Sequence, residues 1–138
     1  MNEHQARASA QGSAFEAHVE QALVRGGWSI KDRRARVSEL ELEVDFIALD
    51  PHGIEWWIEC KGSWEATRNG AQRSDTTKKA IGTAALLATC ADRRPYLLIT
   101  SDLPLDGSVG ARSLDRAVER GWFDRVLELP IAAIGDLA

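Results

Sequence analysis

Two short apolar runs on either side of a tight turn constrain this chain more than any other feature. Leu42-Glu43-Val44-Asp45-Phe46-Ile47-Ala48 precedes, and Gly53-Ile54-Glu55-Trp56-Trp57-Ile58-Glu59-Cys60 follows, the tetrapeptide Asp50-Pro51-His52-Gly53. Asp, Pro and Gly at those places supply turn chemistry, so the spacing predicts an antiparallel hairpin. Side chains alternate along a strand, which sends Glu59 and Lys61 to the same face, about 7 Å apart at ~3.3 Å per residue. On the first strand the same rule puts Glu41, Glu43 and Asp45 on one face and Leu42, Val44 and Phe46 on the other. With Asp45 in register beside Glu59 and Lys61, two carboxylates and an ammonium converge. Such a set suits a hard divalent cation next to a phosphate.

The remaining elements follow from capping and periodicity. Ser13-Ala14-Phe15-Glu16 reads as a capping box, with Ser13 as N-cap and residues 1–11 as a flexible or helical lead. Phe15, Val19, Ala22 and Leu23 form the apolar stripe of that helix, and Gly26-Gly27 ends it. Residues 28–37 predict a polar edge strand. Ser74 or Asp75 caps a second helix over residues 74–89, with Ala80, Ile81, Ala84, Leu87 and Ala88 as its buried side. Residues 95–100 form a strand apolar on both faces, as in the middle of an α/β sheet. A helix over 111–120 stops at Gly121, and a short strand over 125–129 follows. The expected order is αβββαβαβ, one α/β domain over residues 1–138 with a mixed β-sheet flanked by helices.

Composition narrows the function classes. A chain of 138 residues with formal net charge −4 is no general nucleic-acid coat. Its acids gather between Glu39 and Glu65, while basic residues cluster at Lys31, Arg33, Arg34 and Arg36, at Arg68, Arg73, Lys78 and Lys79, and at Arg93 and Arg94. An acidic centre flanked by basic arms is compatible with a phosphodiester substrate; ordinary solvated arginines are the alternative. Cys60 and Cys90 are isolated, which argues against zinc and suits a reducing compartment. The mainly apolar stretch 80–91 is too short to span a bilayer, and the N-terminus has no signal pattern. A cytoplasmic protein is expected, with no membrane contact and no organic cofactor.

Three segments together resemble the PD-(D/E)XK phosphodiesterase superfamily, with its restriction-endonuclease-like fold. Gly12-Ser13-Ala14-Phe15-Glu16 is similar to the Gly-Ser-x-x-Glu helix of small Holliday-junction-resolvase-like nucleases. Glu43-Val44-Asp45-Phe46 looks like the metal-binding strand, with Val44 where the superfamily name has Pro, and Ile58-Glu59-Cys60-Lys61 like the catalytic strand. Of the four lysines, only Lys61 has an acid two residues before it. The resemblance implies a Mg²⁺-dependent deoxyribonuclease, with Mn²⁺ able to substitute, acting on DNA as a homodimer. It also implies alternatives: a restriction, defence or phage recombination nuclease on linear DNA, or a DNA-binding module that keeps the fold without the chemistry.

The resemblance assigns roles residue by residue. Asp45, Glu59 and the backbone carbonyl of Cys60 would ligate the metal, and Glu16 would reach it through water or hold a second ion. Against this, Asp45 and Glu59 could be solvated strand acids, and Glu16 has its capping role, with Glu20 as a substitute. Lys61 would orient or deprotonate the attacking water; its other reading is an edge-strand lysine that blunts aggregation. Lys78, Lys79, Arg73, Arg68, Arg34 and Arg36 would contact the DNA backbone, and Trp64 would stack on a splayed base. Trp28, Trp56 and Trp57 read as core residues, with one of the adjacent pair exposed at a dimer contact.

Overall fold

Turn chemistry places the hairpin as expected. Asp50 Oδ1 accepts from the N–H groups of His52 and Ile54 at 2.8 and 3.0 Å, and Oδ2 accepts from Trp56 Nε1 at 3.1 Å. Gly53 completes the turn at φ +83°, where a Cβ would be strained. The computed structural model describes residues 3–62 and 74–129. In chain order the elements are α1 (Glu3–Arg25), β1 (Ser29–Val37), β2 (Leu42–Leu49), β3 (Glu55–Lys61), α2 (Ser74–Leu87), β4 (Tyr96–Thr100), α3 (Val109–Glu119) and β5 (Arg125–Glu128). This is the αβββαβαβ order read from the sequence.

The five strands form one mixed sheet in the order β1-β2-β3-β4-β5, antiparallel as far as β3 and parallel from there. The polar strand β1 lies at the edge, and β4, buried at every residue, lies inside. Each step from β3 to β5 moves one place in the same direction. Crossovers of the same hand therefore leave α2 and α3 on one face. Ala80, Ala84 and Leu87 of α2 pack there with Leu114 and Ala117 of α3 against Trp57, Tyr96 and Leu98. Phe15, Val19 and Leu23 of α1 cover the other face with Phe46, Ile58, Cys60, Leu97 and Ile99. Three layers result, and no described helix is long and apolar enough to cross a membrane.

Three local expectations need correction. Helix α1 begins at Glu3, so residues 12 and 13 are interior and Ser13 is not an N-cap. The stretch before them is rich in Ala, Gln, Arg and Glu, strong helix formers that carry the helix through a glycine costing about 1 kcal/mol. Ala88 is exposed because α2 ends at Leu87 and the chain turns away. Neither member of the Trp pair is exposed: Trp57 is buried on the α2–α3 side, and Trp56 packs on the α1 side with Trp28, ring centroids 6.0 Å apart.

Candidate active site

Strand β2 does not keep its period through Asp45. Leu42, Val44 and Ile47 belong to the α2–α3 core, whereas Phe46 and Ala48 belong to the α1 core. The expectation that Val44 and Phe46 share a face is therefore wrong: the two pack into different cores. On β1 the register against β2 shifts between Ile30 and Asp32, and Arg34 takes φ +47° between the pairs Arg33–Phe46 and Ala35–Val44. Strained backbone of this kind, in a non-glycine residue, tends to gather at functional sites. Pairing of β2 with β3 ends at Phe46–Ile58. Beyond it the Asp45 carboxylate takes over from the ladder: Cys60 N–H donates to Asp45 Oδ2 at 2.7 Å.

That bond anchors Asp45 to the strand carrying Glu59 and Lys61. Lys61 Nζ lies 3.0 Å from Glu59 Oε1. Tyr96 Oη donates to Glu59 Oε2 at 3.4 Å from within the core. Glu59 is only 8 % exposed. Burial, then repulsion from Asp45, pushes its carboxyl up to about 7. Burial alone would push the Lys61 ammonium down, but attraction from Glu59 and Asp45 outweighs it and the net shift is upward. Lys61 is thus a firmly held cation at neutral pH. The Cys60 thiol points into the α1 core, and burial raises it well above the usual range.

Glu16 reaches Asp45 from α1. Its carboxyl hydrogen-bonds that of Asp45, and both are raised, in each case chiefly by burial. Two carboxylates in contact hold a shared proton when no cation neutralises them. Arg34 Nη2 sits 3.5 Å from Glu16 Oε2, and one turn further on Arg33 forms a two-pronged pair with Glu20 at 2.6 and 2.7 Å. Glu16, Ala17, Glu20, Arg33, Arg34 and Phe46 line a cleft of about 340 Å³ between α1 and the sheet edge. Glu20 is paired with Arg33. With no cap to serve, Glu16 is left to the site.

No family model, curated protein or solved structure matches this chain.

The donor set at Asp45 therefore has to be judged on its own chemistry. Glu16, Asp45 and Glu59 offer hard oxygens, all three carboxyls are held above their ordinary range, and the one thiol nearby is turned away. Such a set fits Mg²⁺ or Mn²⁺ and not a thiophilic ion. Among the described residues, the trio whose ligand atoms lie within 4.8 Å of one another is a different one, Glu39, Cys90 and Asp92. Its thiol donates to Ser38 Oγ at 3.3 Å. Glu16, Asp45 and Glu59 do not come within that distance of one another, and the two Glu59 oxygens face Lys61 and Tyr96.

The other expected contacts fare unevenly. Arg34, Arg36, Lys78 and Lys79 are exposed. Lys78 and Lys79 are the fifth and sixth residues of α2, past the first turn where amides lack intrahelical partners. Trp64, Arg68 and Arg73 lie outside the described residues. The contact of Tyr96 with Glu59 is not among the expected ones. One signal for it is present in the chain: a lone tyrosine opening a strand buried on both faces must find a polar partner for its hydroxyl.

Proposed function

We propose that the chain is a divalent-metal-dependent DNA phosphodiester hydrolase with a restriction-endonuclease-like fold. The observation that carries this reading is the 2.7 Å bond between Cys60 N–H and Asp45 Oδ2, which draws a carboxylate from β2 to the Glu59-Cys60-Lys61 end of β3. Three antiparallel strands followed by two parallel ones, with helices on both faces, accord with that fold.

Asp45, Glu59 and the Cys60 carbonyl would hold Mg²⁺, with Glu16 reaching it through water. Bound there, the ion would polarise the phosphodiester and lower the pKa of the attacking water. Glu59, whose carboxyl burial and Asp45 raise to about 7, would have to ionise to hold the ion. Lys61 is held as an ammonium, so it orients the water and offsets negative charge on the phosphate instead of accepting a proton. Exposed Arg34, Arg36, Lys78 and Lys79 supply positive charge for the DNA backbone.

The test is a panel of junction, flap, single-stranded and duplex DNA, incubated with Mg²⁺, with Mn²⁺ and with excess chelator. Cleavage of at least one substrate, abolished by chelator, is expected. Cleavage that survives chelator refutes the metal mechanism. No cleavage, together with no calorimetric binding of either ion, favours a DNA-binding module without the chemistry.

A further inference from the structure

Glu59 is held by both of its oxygens, and the two holders differ in kind. Oε1 faces Lys61, a half-buried ammonium on a flexible stem. Oε2 faces the Tyr96 hydroxyl, which has little freedom to move. Tyr96 is fully buried, and its ring stacks on Phe123 with centroids 5.4 Å apart and planes 13° from parallel. Its backbone N–H donates to Asp124 Oδ2 at 2.8 Å, and its carbonyl accepts from Asp124 N–H at 2.9 Å. Asp124 is itself clamped by Arg93 Nη2 at 2.9 Å. The register explains the meeting. Tyr96 pairs with Trp57 and Leu98 with Glu59, so Tyr96 and Glu59 are diagonal neighbours on one face of the sheet.

We propose that Tyr96 is a positioning residue that keeps Glu59 to one-oxygen ligation and so sets a preference for Mg²⁺ over Ca²⁺. This rests on the reading of Asp45 and Glu59 as cation ligands. At 3.4 Å the contact is longer than the usual O–H···O separation of about 2.7–2.8 Å. It still decides which way Oε2 faces, because a phenol that lost this acceptor would be left buried and unpaired. Mg²⁺ takes six ligands in a strict octahedron and uses carboxylates one oxygen at a time. Ca²⁺ takes six to eight and accepts both oxygens of one carboxylate. With Oε2 on Tyr96, Oε1, which it would share with the Lys61 ammonium, is the oxygen left for a cation; that would serve the smaller ion and deny the larger its bidentate mode. The size of the effect is the cost of stranding one hydroxyl, on the order of tenfold in affinity.

The experiment is calorimetric titration of the full chain with Mg²⁺, Mn²⁺ and Ca²⁺, for wild type, Tyr96→Phe and Phe123→Leu. Tyr96→Phe removes one oxygen and keeps the stack; Phe123→Leu keeps the hydroxyl but loosens the ring that aims it. The Mg²⁺:Ca²⁺ affinity ratio is expected to fall about tenfold in Tyr96→Phe, mainly through tighter Ca²⁺ binding, and by a smaller factor in Phe123→Leu. A purely structural role would weaken all three ions together and leave the ratio unchanged; that outcome overturns the proposal while leaving the metal reading intact. Wild type that binds none of the three ions overturns both. If Tyr96→Phe does not fold, the ratio in Phe123→Leu decides, and a wild-type ratio there overturns the proposal.

Discussion

Glu59→Gln is expected to stabilise the metal-free protein at pH 8 while destroying its ion site. The structure supplies the magnitude. Glu59 titrates at about 7 in the fold, against 4.5 for an unperturbed carboxyl, because it is buried and faces Asp45. Each unit corresponds to 1.36 kcal/mol, so holding this group ionised costs the fold about 3 kcal/mol at pH 8. Attraction from Lys61 is already part of that value. A carboxyl raised in the folded state favours folding below its unfolded pKa, and the benefit is lost as pH rises through the folded pKa. Wild-type stability should therefore fall between about pH 4.5 and 7 and level off above. Gln imitates the neutral carboxyl at every pH, so the variant should lack that fall. Denaturant titrations in chelator should show Glu59→Gln more stable by about 2–3 kcal/mol at pH 8 and equal to wild type near pH 4. At an Mg²⁺ concentration of about 100 Kd the wild type should gain about 2.7 kcal/mol and the variant nothing. A variant no more stable than wild type at pH 8 without metal would refute the claim that burial and Asp45 raise this group.

Asp45 separates two roles in one side chain. Asp45→Asn keeps an oxygen for Cys60 N–H and should fold normally without cleaving DNA, whereas Asp45→Ala should lose a further 1–3 kcal/mol or so in denaturant titration, because that buried N–H is stranded. Lys61→Ala should leave ion binding by calorimetry within severalfold of wild type while lowering kcat by roughly 10²-fold or more, since a transition-state charge loses its partner. Gly62→Ala should destabilise by about 1–3 kcal/mol in thermal or chemical denaturation. The added Cβ would run into Ser101 Oγ and come within 2.7 Å of Ser101 N, whose N–H donates to the Lys61 carbonyl at 3.1 Å.

Much of the architecture was legible because its causes are local. Asp50, Pro51 and Gly53 determine the turn whatever lies beyond it, and alternation alone puts Glu59 and Lys61 on one face. Gly121, at φ +74°, stops α3 by its own backbone freedom. A polar β1 and a wholly apolar β4 declared their places at the edge and in the middle of the sheet through composition. Where prediction failed, a distant partner or a longer context was responsible. The capping box at Ser13 was a plausible local pattern, overridden by helix formers upstream that extend α1 to Glu3.

From the residues alone came the order of the elements and the strands that carry Asp45, Glu59 and Lys61, because turn chemistry and the two-residue period act within a few bonds. Only the tertiary structure decided how they meet. Val44 and Phe46 enter different cores on either side of Asp45, and past the last β2–β3 pair, Phe46–Ile58, the Asp45 carboxylate accepts from Cys60 N–H. Glu16 comes from a helix packed on one face of the sheet, and Tyr96 from a strand on the far side of a crossover. Those juxtapositions arise from packing between segments far apart in the chain, to which no local pattern is sensitive.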